Sequence, residues 1–218
     1  MNMDALFFAM PMSAQWTVTD FVLLFLMWAV MMVAMMLPSV TPLILIFVAV
    51  NRQRKQVHSP FVSSAYLLTG YLLVWTVFSL LATLLQWLLQ RLSLLNPEME
   101  TTNKVLSGMI LLGAGLFQFT SLKQKCLSNC QTPILFIHQH WRDGKAGALR
   151  MGVKNGTYCL GCCWILMVLL FVSGIMNLLW IALIAIFVLI EKSFSGVKWV
   201  SYISGTLLIA YALFTLVN

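Results

Sequence analysis

All five cysteines of this chain lie between residues 126 and 163, in two groups. Cys126-x₃-Cys130 comes first, and Cys159-Leu-Gly-Cys162-Cys163 opens an apolar run further on. Thiolates and thioethers are soft ligands that select Cu(I), zinc or iron–sulfur over hard cations. On a helix Cys126 and Cys130 share one face, and Cys159 stands on the same side as Cys162 and Cys163. Lys123, Lys125 and Lys154 lie close in sequence, and neighbouring cations favour the thiolate needed for metal binding or nucleophilic attack. The plain alternative is that a free cysteine is simply a small buried hydrophobe. Five so close together, with none elsewhere, argue for chemistry.

Fourteen methionines accompany the thiols. Met27, Met31 and Met35 recur every four residues, with Met32 and Met36 beside them, and this ridge ends at Pro38. Met10 and Met12 precede it. Weak, exchangeable thioether sites of this kind could relay Cu(I) toward the cysteines, although methionine is also the flexible gap-filler of helix packing. Three further residues could stand behind the ligands. Glu191 follows an apolar run, and an ionisable residue in a membrane span is by default a functional hypothesis. Its bland role is to snorkel at a helix end beside Lys192 or Lys198. His138 and His140 could add imidazoles, or could simply face solvent from a loop.

These residues need a scaffold, and the composition says which kind. The chain has 218 residues, 61% of them hydrophobic and only 9% charged, with a mean hydropathy of +0.93. Soluble domains carry about 25% charged residues, so the expectation is a single all-α integral membrane domain over residues 1–218. A hydrocarbon core of about 30 Å needs about 20 apolar residues at about 1.5 Å each. Six stretches qualify or nearly so: 20–50, 61–89, 105–122, 157–172, 178–190 and 199–217. Pro38 and Pro42 break or kink the first. Ser173 to Asn177 is a tight hairpin between the fourth and fifth. Gly108, Gly113 and Gly115 give the third a small-residue face for close helix approach. The N-terminal segment lacks the positive region of a signal peptide, so the first span reads as a retained helix.

Loop charge orients the spans. Arg52, Arg54 and Lys55 follow the first, and Lys192 and Lys198 flank the fifth loop. The long third loop holds Lys123, Lys125, Arg142, Lys145, Arg150 and Lys154 against the single acid Asp143. The second loop balances Arg91 and Lys104 with Glu98 and Glu100. By the positive-inside rule the odd loops face the cytoplasm, and both termini face outward across the inner membrane. The cysteines then lie near the cytoplasmic face. The third loop is expected to be partly helical, with residues 133–141 in the interface and Trp141 and Arg142 at headgroup level. The net charge of +7 is thereby explained by topology, and nucleic acid is not an expected partner.

Several segments resemble one family. They are Trp28-Ala-Val-Met-Met-Val-Ala-Met-Met-Leu-Pro-Ser39, Phe117 to Cys130, His140-Trp-Arg-Asp-Gly144, Gly156 to Met167, Gly174 to Trp180, and Glu191-Lys192. Together they are similar to domain-of-unknown-function family 2182, predicted metal-binding integral membrane proteins, and the resemblance runs from about Trp28 to the C-terminus. It implies metal handling, with copper delivery to a partner enzyme in some members. It also implies that Cys126, Cys130, Cys159, Cys162 and Cys163 are the positions that bind.

Three functions compete on this sequence. The first is a soft-metal protein of the bilayer, a metal chaperone that handles Cu(I) in preference to zinc and delivers it to a partner cuproenzyme. The second is an enzyme, a membrane thiol–disulfide oxidoreductase that pairs Cys159 with Cys162 and Cys126 with Cys130. A cytoplasmic, reducing location opposes it, and Cys163 is left over. The third is an assembly subunit without chemistry, in which the cysteines only pack. No Gly-rich phosphate loop, nucleophile elbow or intramembrane carboxylate pair supports hydrolysis, nucleotide use or proton-driven antiport.

Overall fold

The structure is a computed structural model that describes residues 17–55, 62–93, 104–174, 177–193 and 198–217. Met10, Met12, Glu98 and Glu100, the middle of the Ser173–Asn177 hairpin, and the side chains of Arg54, Lys55 and Lys198 lie outside the described residues. All regular structure among the described residues is helical: α1 Val18–Lys55, α2 Ser64–Arg91, α3 Lys104–Gln118, α4 Ser121–Gln131, α5 Pro133–His140, α6 Gly144–Val168, α7 Leu170–Ser173, α8 Leu178–Ser193 and α9 Lys198–Val217.

Three sequence expectations are corrected. First, α1 runs unbroken through Pro38 and Pro42 for 38 residues. Each proline removes a backbone donor, but hydroxyls answer nearby carbonyls. Ser39 Oγ donates to Met36 O at 2.8 Å and Thr41 Oγ1 to Leu37 O at 3.0 Å, while Tyr71 of α2 reaches Met36 O at 3.3 Å. The carbonyls that the two prolines leave without a donor are those of Ala34 and Pro38, so these hydroxyl bonds add to the helix and do not replace its missing ones.

Second, the third stretch is not one straight helix to 122. α3 stops at Gln118 and α4 leaves it at 63°. The reason is local, because Thr120 is extended and its hydroxyl accepts from Lys123 N, starting a new helix.

Third, the stretch expected as a partly structured loop is helical almost throughout. α6 begins at Gly144, so Lys145, Arg150 and Lys154 ride on its exposed side. α5 folds back on α1, with Phe136 and Ile137 buried and Trp141 stacked on Phe47 at 5.4 Å.

Four helices are long and apolar enough to cross a membrane: α1, α2, α6 with α7, and α9. The bent pair α3/α4 makes a fifth if it counts as one span. α8 has 16 residues, about 24 Å of helix, short of the ~30 Å core. Large apolar side chains such as Val30, Leu45 and Leu207 project outward at 65–68% exposure, which is compatible with an integral membrane protein. The spanning window of α6 is 56% buried, twice that of α1 and α2, so the cysteine-bearing helix is the central one.

Glycines set how closely its neighbours approach. A Cβ on Gly152 of α6 would stand 2.0 Å from Leu67 O, and one on Gly70 of α2 would stand 2.2 Å from Leu149 O. Gly156 meets Val74 one turn further on, so α2 and α6 run parallel with their backbones nearly touching. In α3, Gly108 packs on Leu216 and Gly115 on Ile209 of α9, but Gly113 has nothing within 4 Å. Seven residues return Gly115 to within about 20° of Gly108, while Gly113 is turned about 140° away. The small-residue face is therefore a pair, not a trio.

Candidate metal centre

Cys159, Cys162 and Cys163 are buried in α6, while Cys126 and Cys130 on α4 are half-buried. All five are free thiols. α4 lies along α6, and Gly161 in the middle of the Cys-Leu-Gly-Cys-Cys run makes that approach possible. A side chain there would begin 2.8 Å from Cys126 Sγ. One turn on, Cys130 lines the same small cavity as Cys159 of α6. The two cysteine groups are therefore in contact across one helix interface.

The thiols are not poised around an empty point. Cys162 Sγ donates to Cys159 O at 3.1 Å, and Cys163 Sγ donates to the same carbonyl at 2.7 Å. Among the described residues, no three histidine, cysteine or acidic side chains are arranged to hold a metal as they stand. Those two thiols would have to swing off their own helix to become ligands.

Cys159 points elsewhere, toward a small cavity of about 20 Å³ lined by residues of α1, α2, α4, α5, α6 and α8. Tyr71 Oη lies 3.0 Å from Cys159 Sγ, and Lys192 Nζ lies 2.8 Å from it. Lys192 also donates to Ser39 Oγ at 3.4 Å, and Ser39 in turn contacts Tyr71 at 3.3 Å. Cys130 and Asn155 complete the polar part of the wall. Sequence reasoning missed Tyr71 and treated Lys192 only as a partner for Glu191. The signal for Lys192 was present, since it sits in the segment that carries the family resemblance.

Glu191 does not snorkel beside Lys192. It is buried and pairs with Lys123 at 2.6 Å. Ser201 Oγ donates to the same carboxylate oxygen at 2.5 Å, and Lys123 also donates to Gln118 Oε1. Gln131 Nε2 reaches the Glu191 carbonyl at 2.7 Å. Glu191 therefore secures both ends of α4, the helix that presents Cys126 and Cys130. It supports that helix and does not touch the thiols.

The histidines are elsewhere. His138 is exposed, and His140 stacks on Phe136 at 4.9 Å with its Nδ1 3.1 Å from Phe136 O. On α1, Met32, Met35 and Met36 are buried, and Met27 and Met31 pack half-buried against the core. The ridge reaches the site through Met36, whose carbonyl accepts from Tyr71.

No curated protein and no solved structure matches the chain significantly. The family model named PpoB2 and described as copper chaperone matches residues 25–215. That span takes in every helix from the methionine ridge to α9, and this protein therefore belongs to the PpoB2 copper chaperone family.

Proposed function

We propose that this protein is a membrane-embedded copper chaperone whose thiols on α4 and α6 hold Cu(I) for delivery to a partner copper protein. The observation that carries the reading is the close approach of two soft-ligand groups, from separate helices, inside an apolar bundle. A buried unpaired thiolate is costly, and a monovalent ion offsets its charge. Two or three thiolates in an apolar wall suit low-coordinate Cu(I) better than zinc, whose structural sites normally close with four ligands. The ligands are drawn from Cys126, Cys130, Cys159, Cys162 and Cys163. The methionine ridge of Met27, Met31, Met32, Met35 and Met36 is the approach path. Six spans with both termini extracytoplasmic complete the proposal, with α8 crossing as a short helix helped by local bilayer thinning.

Metal analysis of anaerobically purified protein tests the reading. Wild type is expected to hold up to one equivalent of Cu(I), and a variant with all five cysteines replaced by serine is expected to lose it. Met31→Leu with Met35→Leu should slow transfer yet leave binding intact. Retention of copper by the five-cysteine variant, or zinc in a four-sulfur environment, would overturn the assignment.

A further inference from the structure

Building on the copper reading, we propose that Lys192 sets the charge of the ion the site accepts, with a monovalent ion held in the cavity between Cys130 and Cys159. Of the five thiols only these two line the cavity, and its volume of about 20 Å³ suits one small occupant about the size of a water. One ligand comes from α4 and the other from α6. The remaining polar wall includes the hydroxyls of Ser39 and Tyr71 and the ammonium of Lys192.

Lys192 is only 8% exposed and has no carboxylate partner among the described residues, because the adjacent Glu191 is committed to Lys123. Its nearest contact is Cys159 Sγ at 2.8 Å. A buried cation needs a counter-charge, and here a thiolate supplies it.

The charge count then discriminates between metals. Cu(I) on two thiolates is a complex of charge −1, and the ammonium brings the buried site to zero. A divalent ion on the same two thiolates leaves +1 in a low-dielectric interior, which is strongly penalised. A third thiolate would restore balance for a divalent ion, but Cys162 and Cys163 are turned to the Cys159 carbonyl. The lysine thus favours a monovalent soft ion without touching it.

The experiment uses full-length protein in detergent under anaerobic conditions. Wild type, Lys192→Met and Lys192→Arg are titrated with Cu(I) against a competing Cu(I) chelator, and separately with Cd(II) as a divalent thiol-seeking probe. Lys192→Met should shift the ratio of Cu(I) to Cd(II) affinity toward cadmium by on the order of a hundredfold, as expected on removing one partner of a buried charge pair. Lys192→Arg should keep the wild-type ratio. An unchanged ratio in a helical, folded Lys192→Met protein overturns the proposal.

Should that variant fail to fold, X-ray absorption of copper-loaded wild type still decides. Two sulfur neighbours support the charge count, and three overturn it. A wild type that takes up no Cu(I) would overturn the copper reading as well, whereas copper uptake with unaltered selectivity in Lys192→Met sinks only the role of Lys192.

Discussion

Breaking the Lys123–Glu191 pair should both destabilise the bundle and loosen the helix that carries Cys126 and Cys130. The two charges are 2.6 Å apart with side-chain exposures of 0% and 2%. At that distance their attraction is about 6 kcal/mol for an effective dielectric of about 20, against a desolvation cost of several kcal/mol per ion. Lys123→Met leaves the carboxylate, among the described residues, with Ser201 as its side-chain donor, and Glu191→Gln strands the ammonium on Gln118. Each should cost about 3–5 kcal/mol, while the double variant, with no unpaired charge, should recover most of the loss. SDS-driven unfolding in mixed micelles, followed by far-UV circular dichroism, gives the energies for a double-mutant cycle. Maleimide labelling of Cys126 and Cys130 in the same samples should accelerate in the single variants, because α4 loses its anchor on α8. If both single variants stay within about 0.5 kcal/mol of wild type, or if the double variant costs their full sum, the pair does not lock α4 in place.

Gly152→Ala should destabilise by about 1–3 kcal/mol, since the new Cβ would lie 2.0 Å from Leu67 O. Gly113→Ala, in open space, should be neutral or gain up to about 1 kcal/mol, and thermal unfolding in detergent compares the two. Tyr71→Phe removes the hydroxyl that meets Cys159, Ser39 and Met36 O and should cost about 1 kcal/mol in the same assay; no change would mean that the hydroxyl is idle. A reporter fused to the C-terminus should register outside the cytoplasm, and a cytoplasmic signal would sink the six-span topology and reopen the thiol–disulfide alternative.

The all-helical class, with helices long and apolar enough to cross a membrane, was legible in the sequence because hydrophobic length is a local property. Spans 20–50, 61–89 and 199–217 fall close to α1, α2 and α9, since any run of about 20 apolar residues must satisfy its backbone internally. The soft-ligand character of the chain was legible for a similar reason, because residue type fixes ligand chemistry whatever the fold. What failed were readings that treated charge and proline as boundaries. The basic residues 145–154 suggested a loop, yet they sit on the outer side of α6. Pro38 and Pro42 suggested a break, yet α1 runs through both positions without interruption.

Only the tertiary structure could pair the buried charges. Adjacent in sequence, Glu191 and Lys192 project from α8 in different directions about 100° apart, one to Lys123 and the other to Cys159. Which charge meets which depends on α4 bending 63° away from α3 and on α2 closing against α6 through Gly70 and Gly152. Those contacts join residues far apart in the chain, and no local pattern records them. The sequence therefore determined the soft-ligand residue types and the long apolar helices that carry them, while helix packing decided which thiol faces a cation, which faces its own backbone, and which carboxylate secures the helix between them.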